Sequence, residues 1–404
     1  MKFNYGVVLL AAAMLLAGCA GFWNAPTSTS TTTITATTLS SGVFYVLNQT
    51  TKQIAVYSIS TGTLEQVSGS PYSLAGIPYS IAVAPGGSFL YVGVPGAIYL
   101  YAIGSGGALT IANSGQAIYS YSGLEIPAAM QVSGSWLIDA YSNAGGQAQL
   151  DAIPISASTG LSAVSLTNPV ESQAFTIANA AVSQMALSPD DANLFVALGA
   201  GGTIVVPFTT GNSNPLGSSA RIISVANSGG SALSVAVDPT NRLFYIGETL
   251  ANSSVNSGGL RVFNYGSLGS GTPRATPTQI TGSPIASGGL SPHAILPIAS
   301  GGYVYVANGQ GNTGSGNITW FPVSVSGTTY TIAAGSSISA GIVPMSLAED
   351  SEDNFVLAVA SGGSTSSGDP DLEAYTMSSG ALTAALTSST GTDPVGAWAV
   401  AALP

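Results

Sequence analysis

Residues 80–93 read SIAVAPGGSFLYVG, two short apolar runs on either side of a Pro-Gly-Gly turn. Val, Ile, Phe and Tyr favour extended chain, whereas Pro and Gly interrupt it, so the stretch predicts a β-hairpin. An isolated hairpin is at best marginally stable in water. We therefore expect this hairpin to be one copy of a repeated unit.

Related stretches recur along the chain. Residues 183–198 (SQMALSPDDANLFVAL) and 233–248 (LSVAVDPTNRLFYIGE) keep a proline six residues before an aromatic residue, as Pro85 precedes Tyr91. Looser copies and further apolar segments follow the same order, which gives units of four strands about fifty residues apart. A unit of this size is typical of a propeller blade and too large for a solenoid coil.

The two chain ends complete each other. Six first strands begin near residues 79, 128, 183, 234, 294 and 345, and a seventh, GAWAVAALP, ends the chain without further strands. Residues 42–67 hold three strands that lack a first strand. We predict an all-β fold over residues 42–404, a seven-bladed β-propeller of four-stranded antiparallel blades. The C-terminal strand would complete the N-terminal blade and cover an open sheet edge.

These motifs resemble a known family. The turns FYVLN and VYVAN and the unit AVAPGGSFLYV look like those of the lactonase-like, YVTN-type seven-bladed propellers. That family includes bacterial 6-phosphogluconolactonases and muconate-lactonising enzymes. The resemblance implies the architecture, and it makes lactone hydrolysis one of the functions to be tested.

The N-terminus predicts export. One Lys precedes an apolar run from Val7 to Leu16, which is too short to span a membrane and is typical of a signal peptide over residues 1–18. The run ends in Leu-Ala-Gly-Cys, which resembles a bacterial lipobox and implies lipid attachment at Cys19. An ordinary signal peptide with an incidental cysteine is the alternative. Residues 19–41 read as a lipidated Cys and a Thr/Ser-rich tether, and Ala20 favours the outer over the inner membrane.

Charge and cysteine content exclude several classes of function. Charged residues make up 6% of the chain, the formal net charge is −11, and there is one His. A nucleic-acid partner needs a basic surface, so none is expected. The single Cys excludes an intramolecular disulfide and a Cys-ligated zinc site. We expect a monomer that contacts the membrane only through its lipid.

Candidate catalytic residues cluster near the fifth blade. Glu248 ends its second strand, Arg242 lies in its first turn, and His293 begins the innermost strand of the next blade. If Glu248 and His293 both line the channel mouth, they could act as an acid–base pair. The alternative is structural: Glu248 caps a loop and His293 is a hydrogen-bonded loop residue.

Two acidic stretches are candidate calcium ligands. AEDSEDN contains Asp350 and Asp353, and DPDLE contains Asp369 and Asp371. Their oxygens suit Ca²⁺, but the residue order of a known calcium loop is missing. Solvated turns are the alternative, so no cofactor is expected apart from this one candidate.

Three functions remain open at this stage. The first, which we expect, is a non-catalytic envelope module that binds a protein or a glycan at one propeller face. Its loops are mostly Gly, Ser, Thr, Asn and Ala, which suit adaptable binding. The second is a lactonase, and the third is a structural envelope protein without a discrete ligand.

Substitution Cys19→Ser tests the lipid anchor. We expect the variant to be soluble or uncleaved, because the serine hydroxyl cannot form the thioether to the lipid. Labelled palmitate and membrane fractionation measure this directly. A membrane-bound, correctly cleaved variant would contradict lipid attachment at Cys19.

Overall fold

The computed structural model describes residues 42–60, 63–165, 167–252, 257–265, 277–311, 315–327, 329–362, 371–386 and 396–404. Over these ranges the chain forms seven antiparallel sheets. The innermost strand of each sheet contacts the innermost strands of both neighbouring sheets, so the sheets close into a ring. The predicted seven-bladed propeller is confirmed.

We number the blades 1 to 7 from the N-terminus and letter the strands A (innermost) to D. In blade 1 the strands are Ala397–Ala402, Val43–Asn48, Gln53–Ser60 and Thr63–Gln66. In blade 2 they are Ser80–Val83, Phe89–Val94, Ala97–Ile103 and Leu109–Ile111. In blade 3 they are Ala129–Ser133, Trp136–Ser142, Ala148–Pro154 and Glu171–Phe175. In blade 4 they are Gln184–Leu187, Asn193–Ala197, Thr203–Pro207 and Arg221–Ile223.

Blades 5 to 7 follow the same order. In blade 5 the strands are Ala232–Val237, Leu243–Glu248, Gly259–Asn264 and Thr278–Gln279. In blade 6 they are Gly289–Pro297, Tyr303–Gly311, Asn317–Ser326 and Thr329–Ile332. In blade 7 they are Pro344–Glu349, Phe355–Ala360, Leu372–Ser378 and Ala381–Leu386.

Four blades carry a fifth, short segment that the sequence did not predict. Each such segment pairs with strand C beside strand D, and they are Tyr72–Ser73, Tyr119–Ser120, Ile285–Ala286 and Ser336–Ser339. Two single-turn 3-10 helices, Ser105–Gly107 and Asn113–Gly115, also occur in the described part of the chain. Within these same ranges no helix is long and apolar enough to cross a membrane.

Strand B explains the high apolar content. Every residue of Val43–Asn48, Leu243–Glu248 and Phe355–Ala360 is buried. A strand with neighbouring blades against both of its faces cannot alternate apolar and polar residues, so it reads as a continuous apolar run. The short bursts of apolar residues in the sequence are therefore the B strands.

Ring closure follows the predicted route. Strand A of blade 1 comes from the C-terminus and pairs antiparallel with strand B, Val43–Asn48, near the N-terminal end of the propeller. Backbone hydrogen bonds continue the pairing on both sides, from Gln49 N to Gly396 O (3.1 Å) and from Leu403 N to Val43 O (2.8 Å). Residues 1–41, including Cys19, lie outside the described residues, so the signal peptide, tether and lipid anchor stay predictions.

Blade 3 contains two buried carboxylates that face each other. Asp139 on strand B and Asp151 on strand C are direct cross-strand partners, and their exposed fractions are 0% and 2%. Like charges in such a pair repel each other. Burial, followed by the charge of Asp151, raises the pKa of Asp139 well above its usual range. We infer that Asp139 carries a proton.

Three tyrosines hold this pair and join it to the connection between blades 2 and 3. Tyr121 donates a hydrogen bond to Asp139, whereas Tyr119 (3.4 Å) and Tyr141 (3.0 Å) donate to Asp151. Strand A of blade 3 places Met130 opposite Asp139 and adds no ionisable group there. The connecting segment, residues 121–128, is thus fastened to blade 3 through the protonated pair, with Glu125 as its further ionisable residue.

Deletion of residues 396–404 tests ring closure. We expect the truncated chain to lose cooperative thermal unfolding, because strand B of blade 1 would keep an open edge and the ring would no longer close. Calorimetry measures the transition. Removal of Pro404 alone is the matched control, since that residue is exposed and lies beyond the last strand. An unchanged transition in the nine-residue deletion would contradict the closure.

Substitution Asp139→Asn tests whether the buried Asp139 carries a proton. The neutral form of Asp139 stabilises the fold fully below the unfolded pKa of about 3.9, and this contribution is lost as pH rises through the higher folded pKa. We therefore expect wild-type Tm to fall towards alkaline pH, and Asp139→Asn to flatten that decline. Glu171→Gln, on the neighbouring strand, is the control that should not. Parallel pH profiles for all three proteins would refute the protonated pair.

Candidate active site in the central channel

One residue from each blade forms a ring at the mouth of the central channel. In blades 2, 4 and 5 the ring residue lies six positions before the proline of the A–B turn (Pro85, Pro189 and Pro239). The equivalent position in each of the other blades gives the remaining ring residues. All seven line a cavity of about 770 Å³. In blade order the ring residues are Trp398, Tyr79, Ala128, Ser183, Leu233, His293 and Met345.

β-Bulges direct four of these side chains into the channel. In blades 1, 5, 6 and 7 the pairing of strands A and B skips one residue of strand A. The extra residue of a bulge is left out of the ladder, and bulges often re-aim a side chain next to a functional site. The skipped residues are Trp398, Leu233, His293 and Met345.

A second ring lies two residues further along the A strands. Its members also line the cavity and are all apolar: Ile81, Met130, Met185, Leu347 and Val400. The second ring therefore contributes aliphatic and thioether side chains to a wall that also contains Ser80, Gln131, Gln184 and Ser346.

Four polar side chains of the lining already bond to backbone. Ser80 donates to Pro127 O (2.6 Å), and Gln131 donates to Met185 O (3.4 Å). Gln184 accepts from Val235 N (2.9 Å), and Ser346 accepts from Val400 N (3.3 Å). Each of these bonds joins one blade to the next, so these polar groups already hold neighbouring blades together.

His293 is the imidazole of the channel wall. Its ring packs over Gly309 on strand B of blade 6, where an added Cβ would lie 2.8 Å from the imidazole. Burial lowers the pKa of His293 below its usual 6.5, which keeps the ring neutral at pH 7. A neutral imidazole facing a cavity can accept a proton from water.

Glu125 is a lining residue that the sequence analysis missed. It lies in the 121–128 connection, and among the described residues its Oε2 is buried without a hydrogen-bond partner. No local pattern marks this glutamate, because its position depends on how the connection folds over the mouth. It and His293 are the carboxylate and imidazole groups that the described lining contains.

Glu248 does not face the channel. Its carboxylate forms an ion pair with Arg261 (3.1 Å) and accepts a hydrogen bond from Ala226 N (3.0 Å), on the side of blade 4. The preceding Gly247 faces Pro292 of blade 6 instead. Burial raises the pKa of Glu248, while the Ala226 hydrogen bond and the Arg261 charge oppose that rise. The structure therefore does not bring Glu248 together with His293.

Arg242 lies at the opposite end of the blade. It is exposed in the turn between strands A and B, whereas Glu248 ends strand B. Six residues of extended chain span roughly 20 Å, so the two cannot share a site. The other described cations, Lys52, Arg221 and Arg261, are likewise outside the cavity lining, and Arg274 lies outside the described residues.

The acidic candidates for calcium are also separated. Asp350 accepts hydrogen bonds from Asn354 N (2.8 Å) and Phe355 N (2.5 Å) in the turn before strand B of blade 7. Asp353 lies in that same turn, with a positive φ of 57°. Asp371 lies beyond the other end of strand B, where it accepts from Gly396 N (2.7 Å).

The acidic residues therefore form two separate turns. Asp369 lies outside the described residues. Within the described ranges, no group of three or more His, Cys, Asp or Glu side chains is placed to hold a metal ion. The calcium site stays a prediction without geometric support.

Comparisons with known proteins agree on the architecture. No protein-family model matches the sequence, and no curated protein matches it. A candidate 6-phosphogluconolactonase from Bacteroides fragilis is similar in structure, with a TM-score of 0.66 and 15% identity over 91% of this chain and 99% of that one. A periplasmic gluconolactonase from Pseudomonas aeruginosa gives 0.63 and 18%, and a Lactobacillus plantarum protein gives 0.62 and 18%. Both alignments cover 90% of this chain and 99% of the other.

Sequence identities this low support a shared fold and nothing further. The blade order, the ring closure and these similarities lead to one conclusion. The chain is a seven-bladed β-propeller with the fold of the 6-phosphogluconolactonase-like proteins.

Proposed function

We propose that the central channel binds a neutral lactone and hydrolyses it with His293 as general base. The observation that carries the proposal is a neutral imidazole, re-aimed by a β-bulge, in the wall of a cavity of ligand size. The similarity to a gluconolactonase supports the same activity. The proposal replaces the non-catalytic role that we expected from loop composition.

The hydrolytic step needs one proton acceptor. His293 accepts a proton from a water molecule as that water attacks the lactone carbonyl carbon. The ring C–O bond then breaks, and the imidazolium returns the proton to the leaving alkoxide, which gives the open hydroxy acid. A single base in this role contributes typically 10²- to 10⁴-fold in rate.

The substrate is neutral because the lining lacks positive charge. A phosphorylated lactone would need Arg or Lys in the site, and no described Arg or Lys lines the cavity. Glu125 at the mouth disfavours an anion further. The Pseudomonas protein is periplasmic by name, so a lactonase of this fold is compatible with the predicted export signal.

Non-catalytic binding is the second candidate function. It is favoured by the separation of Glu248 from His293, because the channel then lacks the expected acid–base pair. A lactone that binds without turnover would support it.

His293→Asn tests the proposed activity in the full-length protein. With an unsubstituted δ-lactone, we expect the variant to lose about 10²- to 10⁴-fold in kcat with little change in KM. Wild-type kcat should be constant above the folded pKa of His293 and fall as pH drops below it. A pH-indicator assay measures ring opening.

Glu248→Gln is the matched control. It breaks the buried ion pair with Arg261 and should lower Tm, yet turnover should persist because Glu248 does not reach the channel. Absence of wild-type turnover, or full turnover in His293→Asn, would overturn the proposal.

A further inference from the structure

Part of the polar lining of the channel is engaged within the protein. A polyhydroxylated sugar requires many directed hydrogen bonds, and an unpaired hydroxyl in a buried site is costly. Yet Ser80, Gln131, Gln184 and Ser346 already bond to backbone across the blade boundaries. Beneath the mouth, the second ring of lining residues is entirely apolar.

Met345 and Trp398 are the half-buried methionine and tryptophan of the wall, whereas Met130 and Met185 are each only 4% exposed. Met130, Met185 and Met345 line the cavity from blades 3, 4 and 7, and Trp398 lines it from blade 1. Trp398 meets Tyr79 edge-on, with ring centroids 6.3 Å apart. Thioethers adapt to irregular apolar shapes, and aromatic rings provide large contact area. This wall suits a flexible hydrocarbon chain.

The apolar surface continues outside the cavity at one side of the mouth. Leu124 is 82% exposed and Ile126 is 38% exposed, and both also line the cavity. Ile77 is 37% exposed and precedes the mouth residue Tyr79 by two positions. An exposed apolar rim that continues into the cavity favours a ligand with a hydrophobic part.

Building on the proposed hydrolysis, we propose that the substrate is a lactone with an alkyl or acyl substituent, not a polyhydroxylated sugar lactone. The lactone ring lies against His293 of blade 6. The chain of the substituent lies against Ile81 of blade 2 and reaches the Leu124 rim between blades 2 and 3, on the side of the seven-bladed ring opposite blade 6.

A homologous series of γ-lactones with lengthening alkyl chains tests this proposal, with glucono-δ-lactone as the polar comparison. We expect kcat/KM of the full-length protein to rise by up to about fourfold per methylene, the figure for full burial, and glucono-δ-lactone to be the poorest substrate. Binding to His293→Asn, measured by calorimetry, should show the same dependence on chain length without turnover.

Three variants locate the chain. Ile81→Asn and Leu124→Ser should flatten the dependence of kcat/KM on chain length, because each replaces apolar surface along the proposed path of the chain by a polar group. Val164→Ser is the matched control, because Val164 is 47% exposed but lies outside the cavity lining. A retained slope in both lining variants would overturn the placement of the substituent.

Different results would overturn the proposed hydrolysis and the proposed apolar substrate. Equal or better turnover of glucono-δ-lactone would overturn the apolar substrate and leave hydrolysis intact. Chain-length-dependent binding with no turnover in the wild-type protein would support the apolar ligand and overturn hydrolysis. Absence of binding by every lactone would overturn both.

Discussion

The structure depends on how each blade locks onto the next. A tyrosine on strand B donates its hydroxyl to the carbonyl of a glycine in the turn between strands C and D of the following blade. Three such bonds are Tyr45 to Gly107 (3.2 Å), Tyr91 to Gly160 (3.0 Å) and Tyr305 to Gly380 (3.1 Å). All three glycines have positive φ, and a Cβ at Gly160 would lie 2.8 Å from Phe89. Burial raises the tyrosine pKa values, so the hydroxyls remain donors. Only glycine gives the turn both the conformation and the close approach that this bond requires.

The need for hydrogen bonds between blades also determines which polar groups in the channel remain available to a ligand. At the inner ends of the blades, the connections are made by serine and glutamine side chains such as Ser80 and Gln184. Because only 6% of its residues are charged, the chain has few ion pairs that could connect the blades instead. Buried polar groups must be bonded, so those committed to the ring are not available for a ligand. Part of the polar lining of the cavity is therefore already engaged in holding the blades together.

The repeated features were predictable from the sequence, and the unique ones were not. The spacing of Pro85 and Tyr91 recurs in Pro189 and Phe195, which is why the blades and their closure could be placed. His293 could be placed on an innermost strand for the same reason. Glu248 ends a strand in which every residue is buried, so no alternation showed which blade its carboxylate would face. The Asp139–Asp151 pair depends on the register of two strands, and the Glu125 position on a folded connection, and neither has a periodic signal.

A fold built from repeats can position a single reactive side chain in its channel without any local sequence motif. Seven equivalent positions surround the mouth, and bulges turn four of them inward. The four bulged positions hold Trp398, Leu233, His293 and Met345, and the other three also line the channel. The β-bulge is common to all four positions, so the proposed chemistry of the channel depends on the identity of one side chain, His293. Glycine at 309 gives the imidazole room where a Cβ would displace it. The proposed base therefore requires one histidine and one facing glycine, and the remaining ring positions are left to determine which ligand fits.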